Sequence, residues 1–439
     1  MTPSARIAAA IEILNLYASH HLPLDRACDR YFRARRYIGA GDRRFISHVI
    51  YAVMREQMKL DWWLTSHGHA DWAGNARLRI LTALYFTGDY DKSELTGFFA
   101  DDRWASGALS EAELSYIDRL HLASDGNIVD DAMDDSVRLE CPAWALNLWR
   151  DSYPNYWMAE LEASLGQAPI DLRVNSLKSA RDTVLKKLPR EWDAVKTPLS
   201  PHGVRIDERH NLGALDIIKN GEAEVQDEGS QLIAILCDAK PGLQILDLCA
   251  GAGGKSLALA AEMENKGRIV VCDNHDRRLK KSVERFRRAG VHNHEFRLLD
   301  DAGNAWLNRQ SARFDRVLCD VPCTGTGTWR RNPDMRYKLN QSGVDEILAV
   351  QSGILDRAAG LVKMGGYLIY ATCSILRAEN ESQIEQFLTR HPQFSILPDD
   401  RINAKMPANI VQNGVMRLST ARHKTDGFFA AVLVRGQQA

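Results

Sequence analysis

The 439-residue sequence lacks an excess of either charge: 56 lysines and arginines face 57 aspartates and glutamates, a net charge of −1. That balance excludes a uniformly basic nucleic-acid coat protein, but not basic patches on a neutral whole. No apolar run approaches the roughly 20 residues that cross a bilayer, and Arg6 and Glu12 interrupt the N-terminal apolar stretch, unlike a signal peptide. A soluble, cytoplasmic protein with no membrane partner is expected. Cysteine is sparse as well. Cys28, Cys141, Cys237, Cys249, Cys272, Cys319, Cys323 and Cys373 are too dispersed for the disulfide framework of a small secreted domain. Paired Cys-x-x-Cys motifs and His-x-x-x-His are missing, so no metal site is expected. What is present is an ordinary globular balance, 45% hydrophobic and 26% charged, over a length suited to two or three domains.

The chain has three textures. Residues 1–135 are helical: Ile7, Ala10, Ile11, Leu14, Leu16 and Tyr17 recur at helix spacing, as do Phe45, Ile46, Val49, Ile50 and Val53. Arg30, Arg33, Arg35, Arg36, Arg43 and Arg44 crowd one connection there, as a solvated face or an RNA-phosphate contact. Residues 140–225 form a small α+β module, with strands predicted over 171–175, 202–207 and 217–225 and a short helix over 180–188. Residues 226–436 alternate strand and helix. Strands are predicted at 244–248, 268–273, 295–299, 315–320, 366–371 and 428–434, with helices at 256–263, 276–289, 344–362 and 379–390. Such alternation predicts a mostly parallel sheet covered on both faces, with ligands beyond the carboxyl ends of the strands.

The first of these strands runs into Cys249-Ala250-Gly251-Ala252-Gly253-Gly254-Lys255 and then a helix. A P-loop requires glycine where Cys249 stands, and a dinucleotide fingerprint requires one where Ser256 stands. What remains is a turn that lets a ligand lie on bare backbone, with Asp273 at the end of the second strand placed to accept two ribose hydroxyls. That logic suits S-adenosylmethionine as well as NAD. A tight β–α turn with Asp273 as a helix cap is the alternative.

Two later strands end in Asp320-Val321-Pro322-Cys323 and Thr372-Cys373-Ser374. Each puts a cysteine on the rim where a cofactor would lie, whereas Cys272 and Cys319 fall inside strands and read as core. Methylation of a pyrimidine at C5 explains such a set. Thiolate addition at C6 breaks the aromaticity and makes C5 an enamine carbon. A group that lowers the thiol pKa from about 8.5 is needed. So is an acid near N3, for which Asp320 is the nearest candidate.

On these motifs the sequence resembles the RsmB/NSUN-type family of RNA cytosine-5 methyltransferases. The resemblance covers about residues 170–435 and includes Arg330-Arg331-Asn332-Pro333-Asp334 and Asp426-Gly427-Phe428-Phe429. It implies a C-terminal Rossmann-like class I methyltransferase domain that binds S-adenosyl-L-methionine through Cys249–Lys255, Asp273, Asp320 and an acid after the third strand, Asp301 rather than Asp300. It further implies that Cys373 is the nucleophile and that Cys323 assists release of the methylated base. Leu172–Lys178 resembles the family's small RNA-binding subdomain, and Asp42–Ile46 with Val53–Arg55 is similar to a NusB-like RNA-binding domain. Small-subunit ribosomal RNA is then the expected partner, with transfer RNA second and a catalytically vestigial assembly factor as the alternative from another class. Trp329, Arg330, Arg331, Arg336 and Tyr337 are the better candidates to touch RNA, since arginine with aromatics suits unstacked bases, and packing of Trp329 against the sheet is the alternative. Most of the basic helix 277–288 is expected to be solvated, Arg278 excepted because the family pattern carries an arginine there. The chain departs from the pattern at Gly251-Ala252, where the family has Ala-Pro, which predicts a looser loop. It also lacks a proline near Leu418-Ser419-Thr420.

Overall fold

In a computed structural model of the chain, the helical spacing of the first third buries Ile7, Ala10 and Leu14 along Pro3–His20, and Ile46, Val49, Ile50 and Val53 along Ala40–Arg55. The structure describes all residues except 21, 89, 101–103, 209, 405, 407–409 and 437–439. Contacts divide it into Met1–Asn147 with Trp329–Lys338, and Leu148–Thr328 with Leu339–Ala439. Among the described residues no helix is long and apolar enough to cross a membrane.

The first unit is helical, with Asp91–Glu94 and Ser110–Glu113 as capping boxes that satisfy the first amides of their helices. Of the arginine cluster, Arg30, Arg33, Arg36 and Arg44 are exposed. Arg35 pairs with Glu12 and lies over Tyr31, and Arg43 donates to the Ile38 carbonyl. The unit also captures a segment that sequence order places in the C-terminal domain. Trp329 is fully buried, 6.2 Å from the Trp144 ring, with the buried Arg336 guanidinium 5.2 Å from its centroid. Tyr337 donates to Glu140 Oε2 at 2.5 Å, Arg55 to the Arg330 carbonyl at 2.9 Å, and the Leu24 amide to Asp334 Oδ2 at 3.2 Å. Glu140 is fully buried, and burial pushes its carboxyl up to about 7. The expectation that Trp329, Arg330 and Arg336 meet RNA is therefore corrected. Their side chains are withdrawn from solvent as core, and a buried indole offers no face to a base.

The second unit begins its β structure with β1 (Ile170–Val174), β2 (Val195–Lys196), β3 (Gly203–Ile206) and β4 (Ala223–Val225), an antiparallel sheet ordered β2-β3-β1-β4. Leu172, Val174, Val184, Val204 and Ile206 are its core. The strand expected over 217–225 is instead a helical turn, Asp216–Lys219, followed by Gly221 at φ +70° and only then β4. A side chain at Gly221 would meet the Arg288 carbonyl at 2.2 Å, so this turn seats directly on the helix Asp276–Ala289.

The larger sheet comprises β5 (Gln244–Asp247), β6 (Arg268–Asp273), β7 (His294–Leu298), β8 (Phe314–Asp320), β9 (Val362–Thr372), β10 (Phe394–Ile396), β11 (Val411–Gln412), β12 (Val415–Leu418) and β13 (Phe428–Arg435). Its order is β11-β12-β13-β9-β8-β5-β6-β7, with β10 paired to β13. The five strands β5 to β9 are mutually parallel, and β13 is antiparallel to β9. All six predicted strands are present. Strands β10 to β12 were not legible, being two to four residues long. The chain steps outward from β5 to β7 and returns to β8, so the β5–β8 boundary is a topological switch point, where ligands of open α/β sheets bind.

Candidate active site

Beyond β5 the backbone turns through Gly251 (φ +58°) and Gly253 (φ +77°), left-handed conformations that glycine adopts without a steric penalty. The turn is tied at both flanks: the Gly251 amide donates to Asp273 Oδ2 at 2.8 Å, and Arg285 donates to the Ala252 carbonyl at 2.6 Å. The Ala250 amide reaches the Cys272 carbonyl at 2.8 Å. The loop expected to be looser is thus anchored from β6 and from the helix Asp276–Ala289. The two glycines serve different ends. A Cβ at Gly253 would meet Phe286 at 2.8 Å, whereas one at Gly251 meets nothing within 4 Å. The open space above the turn therefore lies at Gly251.

Asp273 does cap its turn, Oδ1 accepting from the His275 amide at 2.7 Å, while Oδ2 fixes Gly251. Lys255, in the first turn of the helix Gly254–Glu262, donates to Asp320 Oδ2 at 2.6 Å. Burial alone lowers an ammonium pKa, yet that of Lys255 is raised, because the Asp320 carboxylate outweighs it. Asp300 caps the helix Asp301–Asn308 through the Gly303 amide at 2.8 Å, and Asp301 is exposed. Arg278 is also exposed, whereas Arg285 and Arg288 pair with Glu224.

The two rim thiols meet. Cys323 Sγ lies 3.3 Å from Cys373 Sγ, both half-buried, while Cys272 and Cys319 are sealed in the core. Burial pushes the Cys272 thiol up to about 12 and raises that of Cys249 as well. The Cys323 thiol is raised well above its ordinary range, first by its hydrogen bond with Cys373 and then by burial. The C-terminal Asp-Gly-Phe-Phe element closes the same loops, the Gly427 amide donating to the Gly327 carbonyl at 2.8 Å and the Gly327 amide to the Cys373 carbonyl at 3.0 Å.

Sequence reasoning missed the polar layer behind the thiols. Fully buried Glu379 accepts from the Thr324 amide (2.9 Å), Thr324 Oγ1 (2.5 Å), Gln351 Nε2 (2.9 Å) and Ser374 Oγ. Asn380 accepts from Thr372 Oγ1 at 2.6 Å and donates to the Ser374 carbonyl at 3.0 Å. The surplus of Ser and Thr beside both cysteines was the one available signal. Asp247 was missed too. Ser256 donates to its Oδ2 at 2.5 Å, Oδ1 has no partner, and burial pushes its carboxyl up to about 7.

The Asp247 environment has a measurable consequence. The folded-state value lies above the ordinary 3.8, so the folded state holds this proton more tightly than the unfolded chain. Stability from this group is intact below 3.8 and is lost as pH rises through about 7. The loss is on the order of 1 kcal/mol or more. Asp247→Asn is expected to flatten the decline of unfolding free energy over that range in urea titrations. An unchanged slope contradicts the assignment.

Two family models match the chain. Residues 234–434 match that of the 16S rRNA methyltransferase RsmB/F, and residues 141–212 that of the RsmF/B-like ferredoxin-like domain. A probable ribosomal RNA small subunit methyltransferase B from Bacillus subtilis is 34% identical over 312 residues, 68% of each chain. One from Synechocystis is 30% identical over 424 residues, 93% of this chain and 94% of that one. Among solved structures, that of PH0851 has TM-score 0.79 at 26% identity and covers 99% of both chains. A methyltransferase homologue from Pyrococcus horikoshii has TM-score 0.58 at 25% identity, covering 70% of this chain and all of that one.

Proposed function

The chain belongs to the RsmB/F family of RNA methyltransferases, and from that premise we propose that it methylates C5 of a specific cytosine in small-subunit ribosomal RNA through a transient bond from Cys373 to C6. The observation that carries this reading is the pair of thiols 3.3 Å apart at the carboxyl ends of two neighbouring strands, on the rim shared with the glycine turn and the Lys255–Asp320 pair. The relatives' printed names supply the substrate class.

The residues present fit S-adenosyl-L-methionine. The turn Cys249–Lys255 would carry it over the open face at Gly251, with Asp273 and Asp301 as acceptors for its polar groups and Asp320 at the boundary with the base. When bound, the cofactor supplies an electrophilic methyl group. Addition of the Cys373 sulfur at C6 gives C5 enamine character, while N3 takes up a proton beside Asp320, whose Oδ1 is not the oxygen held by Lys255. After C5 has gained its methyl group, a base takes the C5 proton, the C6–S electron pair returns to sulfur and N3 gives its proton back on the Asp320 side, which restores the aromatic ring and frees Cys373. Cys323, in contact with the leaving sulfur, assists that last step. The target base must leave its stack to reach a half-buried sulfur.

The test is incubation of the full chain with unmodified small-subunit RNA and labelled S-adenosylmethionine, with the product mapped by nucleotide. Label at C5 of one cytosine supports the reading, and transfer to no cytosine in the RNA overturns it. The glycine turn offers a second check. Gly251→Ala is expected to weaken S-adenosylmethionine binding about tenfold, some 1.4 kcal/mol, because its Cβ enters the open face. Both substitutions carry the strain of a positive φ, about 1 kcal/mol, but Gly253→Ala is expected to lose a further amount of about 1–3 kcal/mol of stability through its clash with Phe286, without the tenfold loss of binding. Calorimetric titration and thermal unfolding separate the two, and the reverse pattern contradicts the placement.

A further inference from the structure

The residue after Cys323 is Thr324, and the residue after Cys373 is Ser374; one carboxylate holds both. Glu379 Oε2 accepts the Thr324 and Ser374 hydroxyls, and Oε1 accepts the Thr324 amide and Gln351 Nε2. A carboxylate offers about four acceptor sites, so these four donors saturate it, and the side chain is closed to solvent. Gln351, on the helix Gln341–Ala359, donates in addition to the Pro322 carbonyl at 3.0 Å, one residue before Cys323. Thr326 closes the circuit, its Oγ1 2.9 Å from Ser374 Oγ and accepting the Ile375 amide at 3.1 Å. Glu379 touches neither sulfur, yet every strand of this web ends on a neighbour of one of them.

A buried carboxylate is costly to desolvate and is retained where its partners are complete. The loops it joins have no sheet ladder between them, because β8 and β9 end at Asp320 and Thr372. Two backbone bonds tie them, the Val321 amide to the Ala371 carbonyl and the Gly327 amide to the Cys373 carbonyl, both at 3.0 Å, and side chains hold the rest of the interval between the cysteines.

Resting on the functional reading above, we propose that Glu379 is a positioning residue for the thiol pair, holding Thr324 and Ser374 so that Cys323 stays in contact with the sulfur that bonds to C6 and can act when that bond must break. Its negative charge also raises the Cys323 thiol, behind the larger effects of the Cys373 hydrogen bond and burial. Gln351 and Asn380 support the same arrangement.

The test uses the full chain with Glu379→Gln, Thr324→Val and Thr324→Ser, on small-subunit RNA transcribed with cytidine or with 5-fluorocytidine, which arrests the adduct. Glu379→Gln keeps the shape but sets an amide against donors, and Thr324→Val removes one hydroxyl at constant volume. For both, kcat is expected to fall about 10- to 100-fold, the scale of a small misplacement of reacting groups. The KM for RNA and the affinity for S-adenosylmethionine are expected to stay within about twofold, changes worth under about 0.5 kcal/mol. Thr324→Ser, which keeps the hydroxyl, is expected to recover most of the loss. Without any substrate, mass-mapped iodoacetamide labelling is expected to shift from Cys373 toward Cys323 in Glu379→Gln. Should Glu379→Gln not fold, the Thr324 pair decides. If the wild type methylates its cytosine while Glu379→Gln or Thr324→Val keeps kcat and the labelling pattern, the proposal is overturned and the functional reading stands. If the wild type forms neither product nor adduct, both fall together.

Discussion

Cys373→Ala is expected to abolish methyl transfer, by roughly three orders of magnitude or more, and to leave no covalent protein–RNA species. The aromatic C5 carbon is unreactive until a sulfur has added at C6, and no other thiol can replace this one. Cys249 is half-buried with its thiol raised, Cys272 and Cys319 are sealed in the core, and burial still raises the Cys323 thiol when Cys373 is gone. Cys323→Ala has the opposite signature. Addition still occurs, release slows by about 100-fold, and the adduct accumulates to one per enzyme with a single-turnover burst. Denaturing gels with labelled RNA distinguish the two. An adduct that persists in Cys373→Ala and vanishes in Cys323→Ala would interchange the roles, as in enzymes whose nucleophile stands in the Pro-Cys element.

Trp329→Ala is expected to cost about 3–5 kcal/mol, the penalty for emptying the site of a large buried aromatic. The indole is fully buried between Trp144 and Arg336, so the loss falls on the helical unit and on the anchorage of Trp329–Lys338. Tyr37→Ala, by contrast, removes a side chain 74% exposed and is expected to change stability by no more than about 0.5 kcal/mol. Urea unfolding of both variants gives the comparison. A Trp329→Ala protein of wild-type stability with weakened RNA binding would restore the stacking role that burial argues against.

The contrast between these two sites shows where sequence reading succeeds. Cys323 and Cys373 each follow an apolar strand and sit among small polar residues, so local pattern alone put them on the same rim. Trp329 and the arginines after it had the same local look, aromatic and basic residues following a catalytic loop, but their partners are Trp144, Glu140 and Arg55. Periodicity carries no information about contacts at that separation. Glu379 was overlooked for the same reason, since its link to Thr324 spans 55 residues. The two-residue strands Val195–Lys196 and Val411–Gln412 are too short to show a period of two.

The amino-acid order by itself determined the succession of a helical region, a small α+β module and an alternating strand–helix domain. It also determined the glycine turn, the acid ending β6 and both rim cysteines, because hydrophobic period and turn chemistry act between near neighbours. Only the tertiary structure decided that the two sulfurs touch, that Lys255 takes Asp320 as its partner, that one buried carboxylate ties the residues behind both thiols, and that Trp329–Lys338 belongs to the helical unit. Those outcomes depend on which distant surfaces exclude water together and which buried polar atoms find partners, and a linear pattern does not encode either.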